Sequence, residues 1–325
     1  GGTPGGTLTF LNHGKRNLLL ENPNHLQQLA AAADIVIGNF SQTTPTNIDE
    51  IGPAAFAELM PKAAVISVSP FGLTGARAHW AASDLVVQAA SSLMFLTGEH
   101  DQPPQQLPPY AAAMTGGLAA ASAAVAALIS ARKDGLIRRI DVAQVEAMAT
   151  LTYSPTSNYA QHGELARREQ RIKQALRMVP ASDRFVYCAP GAVSTARMDG
   201  VARLIDEPRL AEDRFQTAEG RMQNYDEYLE LFVPPFQRQT AQQWFEQAEA
   251  LHLTFALVQT IDDLFSCPQL AARNMLREVP GPDGHPIRIP GRPFRLEDGP
   301  PAPTHPAAHT PGQHTDEVLR DWLQS

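Results

Sequence analysis

The sequence predicts an α/β fold, an open parallel sheet with crossover helices joined to a smaller α+β domain. Three observations carry this prediction. Between residues 8 and 71 short apolar runs alternate with helical stretches, the pattern of strands linked by helices. From Ser182 onward short strands mix irregularly with helices. A length of 325 residues is enough for more than one core, one large and one small.

The elements follow in order. Leu8 to Phe10 and Leu18 to Leu20 read as strands, His25 to Ala33 as a helix, and Asp34 to Phe40 as an Ile/Val-rich strand. Pro53 to Leu59 reads as a helix opened by proline, and Ala64 to Val68 as the next strand. Repeated helix-then-strand units of this length imply parallel strands. Ligands of such sheets bind beyond the carboxyl ends of the strands, where Asn39-Phe40 and Pro70-Phe71-Gly72 fall. Helices over 83–96 and 113–132, a strand at 138–142 and a helix from 143 complete the large domain. The second unit holds helices at 224–233 and 240–252. Pro280 to Pro311 is rich in Pro and Gly, hence extended, and ends in a helix at 315–324. The expected partition is 1–180 as the large domain, 181–290 as the small one, and 291–325 as a tail with a C-terminal helix.

Composition narrows the function. With 43% hydrophobic and 18% charged residues the chain is an ordinary globular protein. A formal net charge of -8 argues against a nucleic-acid partner, which requires clustered cations. The basic run Arg167 to Lys173 reads as a solvated helix face. Cys188 and Cys267 are the two cysteines, far apart, with neither disulfide framework nor metal spacing, and they fit a reducing cytoplasm. Ala111 to Ala131 carries no charge and is as long as a membrane helix, but Ala, Gly, Ser and Thr dominate it, so a helix buried in a soluble core is expected and no membrane partner. No secretory pattern opens the chain. Neither G-x-G-x-x-G nor G-x-x-x-x-G-K-[ST] occurs.

Seven segments in order resemble the family III CoA-transferases (CaiB/BaiF type). They include Leu11-Asn12-His13-Gly14-Lys15-Arg16-Asn17, Ala33-Asp34-Ile35-Val36-Ile37-Gly38-Asn39-Phe40 and Ser67-Val68-Ser69-Pro70-Phe71-Gly72-Leu73-Thr74-Gly75. Pro109 to Leu118 followed by Arg138 to Ala143 is the most telling. Leu210 to Phe215, Cys267 to Asn274 and Pro311 to Leu319 extend the match through the second half. The resemblance implies a Rossmann-like CoA-binding domain, a chain end that returns to that domain, and interlocked protomers. Family members open with a strand and helix ahead of the Asn-x-Gly-Lys-Arg segment, so an N-terminal segment is expected to be missing here.

The same resemblance assigns a site. Lys15, Arg16, Asn39 and Phe40 are the implied CoA contacts, two cations for phosphates and a strand-end pair bordering the nucleotide. Past Phe40 the chain runs Ser41 to Asn47 without the cation usual there, which lowers the expected phosphate affinity. No metal and no permanently bound cofactor is implied; CoA or acyl-CoA is a substrate. The family nucleophile is an Asp four residues before a helix Gly, and counting back from Gly117 gives Ala113. A methyl group cannot form an acyl intermediate, so no catalytic residue is assigned. Asp84, Glu99 and Asp101 are the nearest carboxylates, each read as solvated or capping. In the racemase relatives the His and Asp that move the α-proton correspond to Ser83 and Ala113, so both groups are absent, and His79 beside Trp80 reads as packed or surface. Met178 to Pro190 has no run of Gly to match a Gly-rich flap, and the Gly116-Gly117 pair reads as helix packing, with close approach of a ligand left open.

The expected function is therefore acyl-CoA to carboxylic acid CoA transfer that depends on a partner subunit or domain supplying the Asp. The alternatives are a non-catalytic acyl-CoA-binding or assembly subunit, a transferase using another carboxylate, and a racemase-like enzyme. The expected partners are an acyl-CoA, a carboxylic acid, and either a second copy in an interlocked homodimer or a related catalytic subunit.

Overall fold

The computed structural model describes residues 5–39, 64–136, 138–168, 178–188, 198–281, 284–295, 297, 299, 306–308 and 310–323. Phe40, the helix expected at Pro53 to Leu59 and most of the basic run to Lys173 lie outside these residues. The chain forms two compact units, one of residues 1–98, 102–168 and 274–325, the other of 99–101 and 169–273.

In the first unit α1 (Gly6–Asn12) and α2 (Pro23–Ala32) lead into β1 (Ile35–Gly38) and β2 (Ala64–Ser69). Leu8 to Phe10, expected as a strand, lies in α1. Leu-Thr-Phe alternates like a strand but is too short to fix the period, and the i→i−4 bonds from the Thr9 N–H to the Gly5 carbonyl and from the His13 N–H to the Thr9 carbonyl make it helix, with Thr9 rather than Leu8 or Phe10 buried. Leu18 to Leu20, also expected as a strand, has no assigned secondary structure and pairs with no strand among the described residues. After β2 come α3 (Asp84–Ala90), α4 (Ala111–Asp134), β3 (Arg139–Ala143), α5 (Gln144–Ala149) and α6 (Tyr153–His162). The sheet order is β1-β2-β3, all parallel, with Ile66 beside Ile37 and Ile140. The helix expected over 83–96 breaks at Ser91, because Ser92 takes a left-handed φ of 66° before a 3₁₀ turn at Met94–Leu96.

Helix α4 is 24 residues long, sustained by the strongest helix former, alanine. It stops at Gly135, whose φ of 72° makes the left-handed C-cap, with Arg132 and Lys133 in the last turn facing the negative end of the dipole. Ala112, Gly116, Ala120, Ala124 and Ala127 form its buried stripe at helical spacing. Small side chains there let the helix lie close on Ile66, Val68 and Val142 of the sheet. A Cβ on Gly116 would sit 2.9 Å from the Gln144 side chain, whereas one on Gly117 would meet nothing, so of the pair only Gly116 is a packing glycine. The opposite face carries Met114, Leu118, Val125 and Ile129, with 41, 70, 57 and 64% of their surface open. The expectation of a helix buried in the core therefore holds for one face only. By length and composition it is apolar enough to cross a membrane.

The second unit centres on an antiparallel sheet of β4 (Met178–Pro180), β5 (Phe185–Cys188) and β6 (Phe255–Leu257) in the order β4-β5-β6. Helices α7 (Met198–Leu204), α8 (Tyr225–Phe232) and α9 (Ala241–Ala250) cover it, with short turns of helix between α7 and α8. Tyr228 stacks on Phe232 at 5.0 Å, Phe232 meets Phe236 edge-on at 5.3 Å, and Phe236 lies 5.2 Å from Trp244. The Trp244 indole N–H donates to the Phe236 carbonyl at 2.9 Å, so the buried donor is satisfied. Thr240 and Gln243 cap α9 reciprocally. The chain then returns to the first unit through a hairpin, β7 (Leu276–Pro280) and β8 (Pro286–Pro290), and ends in α10 (Thr315–Leu323).

Phe232→Ala removes the middle ring of this column and is expected to destabilise the second unit by about 3–5 kcal/mol. Hydrogen exchange of the α8 and α9 amides measures it; a loss under about 1 kcal/mol contradicts the packing described.

Candidate functional site

Two places in the first unit gather the residues singled out above. The first is the end of α1. Gly14, at a φ of 76°, turns the chain so that Lys15 is exposed and Arg16 half-buried. The C-terminal segment holds the residues that follow. The Asn17 N–H donates to His314 Nδ1 at 3.0 Å, the His314 N–H returns to the Asn17 carbonyl at 3.0 Å, and the Leu19 N–H donates to Thr315 Oγ1 at 3.0 Å. Arg16 donates to Glu317 at 3.1 Å and to Asp321 at 2.6 Å on α10. Asp321 first and Glu317 next raise the guanidinium pKa above its ordinary value.

A cleft of about 330 Å³ opens between these two segments, lined among others by Leu8, Asn12, Lys15, Asn17, Thr310 and Pro311. Lys15 and Arg16 thus share one wall, but their roles differ. Arg16 already faces two carboxylates, while the Lys15 ammonium has no ion pair among the described residues and is the available cation. Asn39 is exposed just past β1, at the carboxyl end of the sheet, and makes no side-chain hydrogen bond among the described residues.

The second place is the first turn of α4. Tyr110 at its N-cap has a φ of 68° and gives no side-chain cap. The cap comes from α3 instead. Asp84 Oδ1 accepts from the N–H groups of Ala112 at 2.9 Å and Ala113 at 3.2 Å, and Oδ2 accepts from Gln88 Nε2 at 2.7 Å. Gln88, 1% exposed, fixes the next loop by accepting from the Leu107 N–H at 2.9 Å. A carboxylate at a helix N-terminus satisfies orphan donors and meets the positive end of the dipole. With three donors on its oxygens, Asp84 is a structural anion and a poor nucleophile.

Ala113 is exposed, and Gly117 one turn on is exposed as well. Ser83 precedes α3 without a side-chain cap, and His79 is exposed. Glu99 and Asp101 fall in the second unit, where His100 lies 3.7 Å from Asp101. Among the described residues no group of three or more His, Cys, Asp or Glu could hold a metal.

The second unit has its own cleft, about 220 Å³, lined by Asp183, Arg184, Gln259, Asp263 and Cys267 among others. Its charges answer one another, with Arg184 2.6 Å from Asp263 and 3.5 Å from Asp183. The Ala241 N–H lowers the Asp183 pKa, and the Thr260 N–H and hydroxyl lower that of Asp263. Backbone N–H groups, Leu270 first, lower the Cys267 thiol; burial raises that of Cys188 far above the ordinary range.

A parallel α/β sheet flanked by a small-residue helix places the first unit in the α/β class, and the family follows from comparison. The model of CoA-transferase family III matches residues 4–315, and the chain belongs to that family. An acyl-CoA transferase of Fusarium pseudograminearum (strain CS3096) is 26% identical over 97% of this chain and 68% of its own length. The succinyl-CoA:(R)-benzylsuccinate CoA-transferase subunit BbsE of Thauera aromatica is 24% identical over 95% of this chain and 79% of its own. A CAIB/BAIF family protein from Brucella suis has the same fold, with a TM-score of 0.82 at 21% identity over 97% of this chain and 83% of that one.

Asp84→Ala strips the first turn of α4 of its cap and is expected to cost about 1–2 kcal/mol, read as a lowered thermal midpoint; an unchanged midpoint contradicts the capping role. Asp183 and Asp263 have depressed folded pKa values, so the stability they add is full above the unfolded value of about 3.9 and fades as pH falls through the folded values. Acid titration of the second unit is expected to show this loss below about pH 4, flattened in the Asp183→Asn, Asp263→Asn double variant. An equal acid loss in both proteins contradicts it.

Proposed function

We propose that this chain binds a CoA thioester and takes part in CoA transfer from an acyl-CoA to a carboxylic acid, with the nucleophilic Asp supplied by a partner chain or domain. The observation that carries the reading is residue 113. In this family's reaction a carboxylate attacks the thioester carbon, expels the CoA thiolate and forms a mixed anhydride that the thiolate attacks in turn. Ala113 stands at the first turn of α4, exposed, where the motif count puts that carboxylate. Asp84, the carboxylate that touches this turn, is bound by three donors.

Two further features support a partner. The outer face of α4, from Met114 to Ile129, leaves apolar side chains in water, and one relative is by name a subunit. A homodimer would bring a second Ala113, not an Asp, so the partner we favour is a related catalytic subunit. Lys15 is the phosphate contact; Asn39 and Phe40 border the nucleotide. Two free cysteines suit a reducing cytoplasm.

The purified chain alone, given succinyl-CoA and a carboxylate acceptor, is expected to show no transfer above background in a chromatographic assay; robust turnover overturns the reading. Calorimetry is expected to show CoA binding that Lys15→Ala weakens about tenfold, the worth of one charged hydrogen bond. Unchanged affinity removes Lys15 from the site.

A further inference from the structure

Lys15 and Arg16 are the charged side chains among the described residues that line the cleft beside α1. Alone they would give its wall two positive charges. The C-terminal helix removes that excess. Glu317 and Asp321 lie four residues apart, hence on one face of α10, and both accept from the same nitrogen, Arg16 Nη1, at 3.1 and 2.6 Å. Two carboxylates thus answer two cations, and the four side chains sum to no net charge. Asp321 also lies 3.9 Å from Arg320 Nε, a pairing within the helix itself.

Helix α10 has anchors besides these ion pairs. The Asn17 N–H donates to His314 Nδ1, the His314 N–H to the Asn17 carbonyl, the Leu19 N–H to Thr315 Oγ1 and the Gly312 N–H to Asn17 Oδ1. Val318 is buried. The Arg16, Glu317 and Asp321 side chains keep 26, 36 and 47% of their surface open, and pairs exposed to that degree contribute little to stability. Their larger effect is on the field in the cleft. A carboxylate and a phosphate compete for one guanidinium, since both are oxyanions that take its N–H donors.

We propose that α10 is an autoinhibitory element: Glu317 and Asp321 occupy Arg16 and leave the cleft a single available cation, Lys15, so that a ligand bearing phosphates binds more weakly than the cations of the cleft allow. This rests on the reading that a CoA thioester binds at this cleft, and it deepens that reading by naming what limits the affinity. Neutralising the two carboxylates, or drawing α10 away, turns the wall from neutral to positive and strengthens binding of the nucleotide end of CoA. The acyl group plays no part, so free CoA is a sufficient probe.

The test is calorimetric titration of the full chain with CoA. Glu317→Gln combined with Asp321→Asn keeps the shape and an acceptor oxygen of both side chains while removing their charge, and is expected to tighten CoA binding at least about threefold. Asp321→Asn alone, which neutralises the shorter contact, is expected to give part of the gain and serves where the double variant does not fold. Arg16→Gln is expected to change the wild-type affinity by less than about twofold and to cancel the gain when added to the double variant, a non-additivity that marks the shared contact. Asp316→Asn, an equal change of charge one position earlier on α10, is the control for net charge. Unchanged or weaker binding in the double variant, a gain that survives Arg16→Gln, or an equal gain in Asp316→Asn overturns the autoinhibition and leaves the CoA reading standing. Absence of CoA binding in wild type and double variant alike overturns both.

Discussion

The Asp84 carboxylate at the start of α4 is the contact on which this account depends. One side chain closes the open end of a 24-residue helix, ties α3 to it, and through Gln88 fixes the loop before it. The same contact defines the chemistry of the spot. A helix N-terminus attracts one anion, and here that anion is built in, bound by three donors. The residue on which a nucleophilic carboxylate is expected has only a methyl group. Stability and the proposed loss of the nucleophile thus meet at one turn of helix.

A second constraint joins the ends of the chain. Residues 274–325 belong to the same unit as the first 98, and the contacts that close it run from the Asn17–Leu19 segment to His314, Thr315 and α10. Arg16 is enlisted in that closure by Glu317 and Asp321, which leaves Lys15 as the cation facing the cleft. Neighbouring cations in one motif thus differ in their surroundings, both lining the cleft but only Arg16 paired with carboxylates of α10.

The sequence made the sheet legible because β1, β2 and β3 are Ile/Val-rich runs separated by turn chemistry, a signal local enough to read. It misled at Leu8 to Phe10, where three residues are too few to distinguish the two periods. The length of α4 was legible from its alanines, but its two faces were not, since Ala, Gly and Ser serve equally inside and outside and only the sheet beneath decides. The hairpin β7–β8 was legible in principle, since Pro282-Asp283-Gly284 between two apolar runs is local turn chemistry, but the density of Pro and Gly over the whole stretch masked it. At the candidate site, motif spacing proposed roles for Lys15 and Ala113, and the structure adds that Lys15 lines a cleft and that Ala113 is exposed in the first turn of α4. The commitment of Arg16 to residues about 300 positions away was not legible in the sequence.

The most direct measurement is intact-protein mass spectrometry of the purified chain incubated with an acyl-CoA and quenched rapidly, with and without hydroxylamine. An unmodified mass is predicted at every time point, because the acyl-accepting carboxylate is proposed to come from a partner chain or domain. A hydroxylamine-sensitive acyl adduct, mapped to Asp84 or to any other carboxylate, would contradict it.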